Sequence, residues 1–149
     1  FDYVITDISS AVNAQCKWRT TTNNNEIVLN VQTTAATNNI KRYVLNNLEG
    51  VGGVATTLGT GTSPALAIDK NGNEFHFWRV AGTSGDIKQQ VIDPTGATIR
   101  AAATVVTGNV ADKGIAAYVR NDDIYLVYSH SVNGITIVRS YDYGGSYSW

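Results

Sequence analysis

The side chains able to do acid–base, nucleophilic or metal chemistry are few in this sequence and stand apart from one another. His76 and His130 are the only histidines and Cys16 is the only cysteine. Neither histidine has a second His or Cys at the short spacing that a zinc or iron site uses. His76 sits between Phe75 and Phe77 and reads as a satisfied strand histidine, while Cys16 reads as a small apolar strand residue that can close no internal disulfide. Gly50-Val51-Gly52-Gly53 and Gly59-Thr60-Gly61 lack the following lysine and helix of a phosphate loop and are expected to be turns. There is no Gly-x-Ser-x-Gly elbow, and Asn121-Asp122-Asp123 lacks the spaced ligands of a calcium loop, so it reads as a hairpin turn. No metal and no cofactor are expected. For recognition the sequence offers flat aromatic side chains set among Asn, Thr and Gly, which suit sugar stacking or protein contact: Trp78, Tyr128, Tyr141, Tyr143 and Trp149 are the candidate ligand-binding residues. Trp78 and Tyr128 lie within strand-like runs, where aromatics also fill the space between packed sheets.

The elements that must position these residues are strands. Short β-branched and aromatic runs alternate with Gly, Asn and Asp clusters, and helical periodicity is scarce. Ala65–Asp69 and Glu74–Val80 flank Lys70-Asn71-Gly72-Asn73, and Ile124–His130 and Ile135–Ser140 flank Val132-Asn133-Gly134. Asn-Gly is the dipeptide that tolerates the positive φ angles of a type I′ turn, so two hairpins are expected there. Laid over one another the segments repeat: Phe75-His76-Phe77-Trp78 matches Tyr125-Leu126-Val127-Tyr128 at a spacing of 50, and Ile87–Gly96 matches Ile135–Gly144 at 48. A weaker copy precedes them, with Ile40 lying 47 ahead of Ile87. The fold class expected is all-β, with about three four-stranded antiparallel blades of a β-propeller in one domain, 1–149, divided near 11–62, 63–110 and 111–149. A β-sandwich is the alternative, and it would not require the repeat.

The last residues, Ser140-Tyr141-Asp142-Tyr143-Gly144-Gly145-Ser146-Tyr147-Ser148-Trp149, resemble an Asp box, the Ser-x-Asp-x-Gly-x-Thr-Trp turn of sialidases and other Asp-box (BNR-repeat) propellers. Ser140, Asp142, Gly144 and Ser146 stand at the matching positions, with Tyr147 where Trp or Phe is usual. Asp93-Pro94-Thr95-Gly96-Ala97-Thr98 keeps only the Gly and the Thr of the pattern. The resemblance implies a structural role for the box, on the outer rim and away from the ligand face. It also implies that more than three blades are needed to close the ring. The chain is therefore read as a piece of a longer propeller or as a subunit whose segment 1–10 is an outer strand exchanged between neighbours. Sialidase chemistry would need converging arginines, a Tyr–Glu pair and an acid, and none of Arg19, Arg42, Arg79, Arg100, Arg120 or Arg139 lies in such a motif.

Composition narrows the partners. Charged residues make up 15% and the formal net charge is -1, with Lys and Arg scattered, so nucleic acid is not expected. No run is apolar enough to span a bilayer. The absence of Met, with Phe1 first, is read as a removed leader or a longer parent chain. The function expected is non-enzymatic surface recognition or a structural role, binding carbohydrate or a protein partner as an adhesin, lectin-like module or virion or filament component. The expected setting is extracellular, on a cell surface or on a virion, within a homo-oligomer or larger assembly. The alternative is a fragment of a sialidase-like glycoside hydrolase whose catalytic residues lie partly outside the chain.

Overall fold

Among the described residues the apolar and β-branched runs become strands, because each can pair with a neighbour and bury at least one face. The computed structural model describes residues 11–20, 25–33, 38–46, 55–80 and 85–148, with the backbone alone at 25, 46, 112 and 113. Segment 1–10, Gly50-Val51-Gly52-Gly53 and Trp149 lie outside the described residues.

The first sheet is formed by β1 (Ala11–Thr20), β2 (Asn25–Thr33), β3 (Asn39–Asn46) and β4 (Thr56–Thr60). The second is formed by β5 (Thr62–Ile68), β6 (Glu74–Arg79), β7 (Ile87–Ile92) and β8 (Thr98–Val106), and the third by β9 (Val110–Arg120), β10 (Asp123–His130) and β11 (Gly134–Ser140). Each is an antiparallel meander with its strands in chain order. Among the described residues the third has three of the four strands expected, and a single bridge between Arg139 and Ser148 stands where a fourth would pair. β5 packs beside β1, β2 and β9, so the second sheet is the middle layer, and β5 and β6 are buried on both faces. Among the described residues the stack does not close into a ring. Successive face-to-face meanders fit an incomplete propeller and also a layered sandwich.

Ladder pairing aligns the sheets residue by residue. Lys17, Val28 and Val44 lie side by side, as do Ala67, Phe75 and Val91, and Tyr118, Tyr125 and Arg139. Phe75 and Tyr125 thus occupy like positions 50 apart, and the β7 and β11 members are 48 apart. The β5 and β9 members are 51 apart, one more than the sequence alignment gives. The extra residue reflects different turns. Asn121 and Asp122 form a tight two-residue turn with φ of 52° and 68°, the I′ geometry. At Lys70-Asn71-Gly72-Asn73 only Gly72 has positive φ, so the I′ expectation is corrected there. The Asp69 carboxylate accepts from the amides of Asn71 and Asn73, both at 2.8 Å, and holds a wider turn open. Gly134 is likewise the only positive-φ residue of its turn. Gly59 is in β4 and not in a turn: a Cβ there would sit 3.0 Å from Cζ2 of Trp78, so the glycine makes room for the indole.

Candidate functional site

The Asp-box segment forms a closed set of local bonds. The Ser140 hydroxyl donates to Asp142 Oδ1 at 2.6 Å and accepts from the Gly144 amide at 2.8 Å. Asp142 also accepts from the Ser146 amide at 2.8 Å and the Ser146 hydroxyl at 2.7 Å. The Ser140 hydroxyl, followed by the amide and hydroxyl of Ser146, holds the Asp142 carboxyl well below the usual carboxylate range. Such a group is a fixed acceptor that shapes a turn. Asp93 makes a related turn, accepting from the Thr95 hydroxyl and amide and the Ala97 amide, and its pKa is lowered by the same kind of bond.

The candidate aromatics do not come together. Trp78 is 1% exposed and packs with Ile40, Leu58 and Ile92 between the first and second sheets, so it is a core side chain and no binding platform. Tyr143 is a fastener: its ring meets Phe75 edge-on at 5.2 Å, and its hydroxyl donates to Asp69 and accepts from Asn73 in the second sheet's turn. Tyr141 is exposed, with the Arg139 guanidinium 3.9 Å from its ring centre. Tyr128 is 4% exposed, within the core between the second and third sheets, yet it reaches a cavity of about 200 Å³.

The sequence reading missed a second grouping. A cavity of about 150 Å³ is bordered by Lys17 and Trp18 of β1, Ala67 and Ile68 of β5, and Tyr118 and Val119 of β9. These are like positions in the first strand of each sheet, so the cavity marks where the three sheets converge. Trp18 and Tyr118 are the exposed aromatics there, and Ala67 leaves room between them. The signal available in the sequence was the repeat itself, which puts Lys17, Ala67 and Tyr118 in register once the β9 offset is known. This cavity is at the end of the stack that carries the Asp box, since Ile124 pairs with Ser140 and Tyr143 binds the Asp69 turn. The cavity that Tyr128 reaches lies on the side of His130, with Tyr147 of the Asp-box segment in its lining.

Every described carboxylate is already engaged. Glu26 and Glu74 bind guanidiniums, Asp122 binds Lys70 and Asp123 binds Arg139. Asp69, Asp93 and Asp142 hold turns, and Asp86 accepts from the Gly108 amide at 2.8 Å. Glu74 is the most enclosed: burial pushes its pKa up, but hydrogen bonds from Arg42 and His76 outweigh that and bring it down to about 2. His76, wholly buried, is pushed down by burial. Among the described residues no three His, Cys, Asp or Glu are grouped to hold a metal ion, and no helix is long and apolar enough to cross a membrane.

An all-β stack of antiparallel meanders that fits an incomplete propeller or a layered sandwich has a counterpart among solved structures. A bifunctional GH43-CE protein of Bacteroides eggerthii superposes with a TM-score of 0.61 and 13% identity over 93% of this chain. The chain spans 19% of that protein's length. At this identity the likeness concerns the fold, and it does not single out the Asp-box family. No family model matches the chain, and no curated protein matches it.

Proposed function

We propose that the chain supplies consecutive blades of a carbohydrate-associated β-propeller of glycoside-hydrolase type, in which the described part recognises sugar and the catalytic groups lie partly elsewhere. The observation that carries this reading is the fold likeness to the GH43-CE protein across 93% of the chain. The engaged state of the described carboxylates favours recognition over cleavage for this part. A glycosidase acid must hold its proton near working pH, and Glu74 and Asp142 are both shifted the opposite way. Carboxylates of this chain open to such a role are Asp2, Asp7, Glu49 and Asp112, whose side chains lie outside those described. The polar, weakly charged, Asn- and Thr-rich composition supports an extracellular, cell-surface or virion setting, and an Asp-box relationship is part of the same reading.

The test has two arms. A panel of chromogenic glycosides is offered to the full-length gene product, and this 149-residue chain is applied to a glycan array. Turnover by the full product with glycan binding by the chain is the expected result. Glycan binding without turnover leaves a recognition module, and neither activity overturns the reading.

A further inference from the structure

The cavity beside Tyr128 lies between the second and third sheets, on the side of His130, with Tyr147 of the Asp-box segment reaching into its lining. Val105, Val106 and Val138 form an aliphatic wall, and Thr107, Tyr128, His130 and Tyr147 bring the polar side chains. Among the described residues no Asp, Glu, Lys or Arg lines it. Its volume of about 200 Å³ corresponds to roughly six or seven waters.

The hydrogen bonds around the cavity fix what its polar groups can do. His130 Nδ1 accepts from the amides of Val132 and Asn133, both at 3.1 Å. An Nδ1 that accepts twice carries no proton, so the neutral ring bears its proton on Nε2, which is then a donor. The Tyr147 hydroxyl accepts from Gln89 Nε2 at 2.7 Å, which leaves its own proton to give. Tyr128 has no hydrogen-bond partner among the described residues, and burial raises its pKa, so its hydroxyl stays protonated. Donors on Tyr128, Tyr147 and His130, with the Thr107 hydroxyl beside them, therefore accompany an aliphatic wall. An ionised ligand would be desolvated there without a counter-charge, at high cost. A ligand with oxygen acceptors on its edge and a C–H face satisfies both kinds of surface.

We infer that this cavity holds one neutral pyranose unit, with its C–H face on Val105, Val106 and Val138 and its oxygens accepting from Tyr128, Tyr147 and His130. The inference rests on the carbohydrate reading above and adds the place and the ligand class. Tyr128 was a candidate from sequence; His130 and Tyr147 join it through the cavity.

The experiment titrates the full chain with neutral methyl pyranosides, neutral oligosaccharides and a uronic acid, followed by calorimetry and by the ¹⁵N resonances of His130. Tyr128→Phe and Tyr147→Phe keep the rings and remove one donor each, and Trp18→Ala serves as the control at the other cavity. The expected result is binding of neutral sugar, a shift of the His130 Nε2 resonance, and roughly tenfold weaker binding in each Phe variant, the size of one hydrogen bond. Weaker oligosaccharide than monosaccharide binding would identify a closed pocket for free sugar, and the reverse a glycan end, both within the proposal. Neutral-sugar binding that survives both Phe variants, that is lost instead in Trp18→Ala, or that is exceeded by the uronic acid overturns this pocket and leaves the carbohydrate reading standing. No binding of any sugar overturns both.

Discussion

The two faces of β6 are buried against different kinds of surface. Phe75 and Phe77 point toward the third sheet and join an apolar layer with Ala67, Val91, Leu126 and Val138. Glu74 and His76, one residue out of phase, point toward the first sheet and meet Arg19, Arg42 and, close by, Asn30. Glu74 and His76 are both 0% exposed, so the alternation along Glu74–Arg79 does not separate inside from outside. It separates a dry apolar layer from an ionic one. The first layer is held by the non-directional loss of apolar surface from water and tolerates small shifts. The second depends on two guanidiniums sharing one carboxylate, with Arg19 also bound to Glu26 at 2.8 Å and Asn30 donating to the Ala65 carbonyl at 2.9 Å. Several of its atoms, including His76 Nδ1, Asn30 Oδ1 and Trp78 Nε1, have no partner among the described residues. Geometry in that layer is therefore specified tightly and stabilises it less per contact.

The largest effect should come from breaking the ionic layer on one side only. Glu74→Gln leaves Arg42 enclosed without an anion and Arg19 with Glu26 alone, and is expected to cost about 3–5 kcal/mol in urea denaturation. Replacing Arg19, Glu74 and Arg42 together by Met, Leu and Met should recover much of that loss, because an apolar set removes the fully enclosed charges and leaves only Glu26, which reaches solvent, without its partner. A triple variant as unstable as Glu74→Gln would mean that the layer needs ions for reasons other than charge balance. In the apolar layer, Leu126→Ala should cost about 3 kcal/mol through lost burial and a residual cavity, with no salt dependence.

Acid separates the layers without mutation. Glu74 has its folded pKa lowered from 4.5 to about 2, and His76 has its own lowered from 6.5 by burial, its bond to Glu74 opposing. In both cases the unfolded chain binds the proton first, so stability is fully present above about pH 6.5 and is lost as the pH falls. His76 begins the loss near 6.5, and Glu74 adds to it between 4.5 and about 2, on the order of 3 kcal/mol in all for the carboxylate. Hydrogen exchange at pH 4 should therefore open β1–β3 before β9–β11. Equal loss of protection in both would show that the ionic layer does not set the acid response.

How far these layers can be read from sequence differs for the same reason. The repeat is local chemistry seen twice, so the β6/β10 and β7/β11 offsets of 50 and 48 are visible in the residues themselves. The Asp box is legible too, since its bonds join residues no more than four apart. The Glu74 cluster is not: its partners lie 55 and 32 residues away and become neighbours only when the sheets stack. Trp78 could not be sorted from an exposed aromatic, because Gly59, which admits its indole, lies on another sheet. Trp18 and Tyr118 converge only after the tight Asn121-Asp122 turn sets the β9 register.

The smallest effects test whether the box joins the layers or merely ends a strand. Asp142→Asn keeps the shape of the side chain but replaces one acceptor oxygen by a donor, so it cannot satisfy Ser140, the Ser146 amide and the Ser146 hydroxyl together. A modest loss of stability is expected, read as a lower thermal midpoint, as for a lost cap residue. Tyr143→Phe keeps the edge contact with Phe75 and removes only the hydroxyl that bridges Asp69 and Asn73. About 1 kcal/mol should go, measured as a shift in the thermal midpoint. Because Tyr143 follows Asp142 directly, the two changes should couple in a double-mutant cycle: once the turn is loosened, the ring no longer presents its hydroxyl to the second sheet. Additive losses would mean that the box shapes its own turn and the fastener holds independently of it.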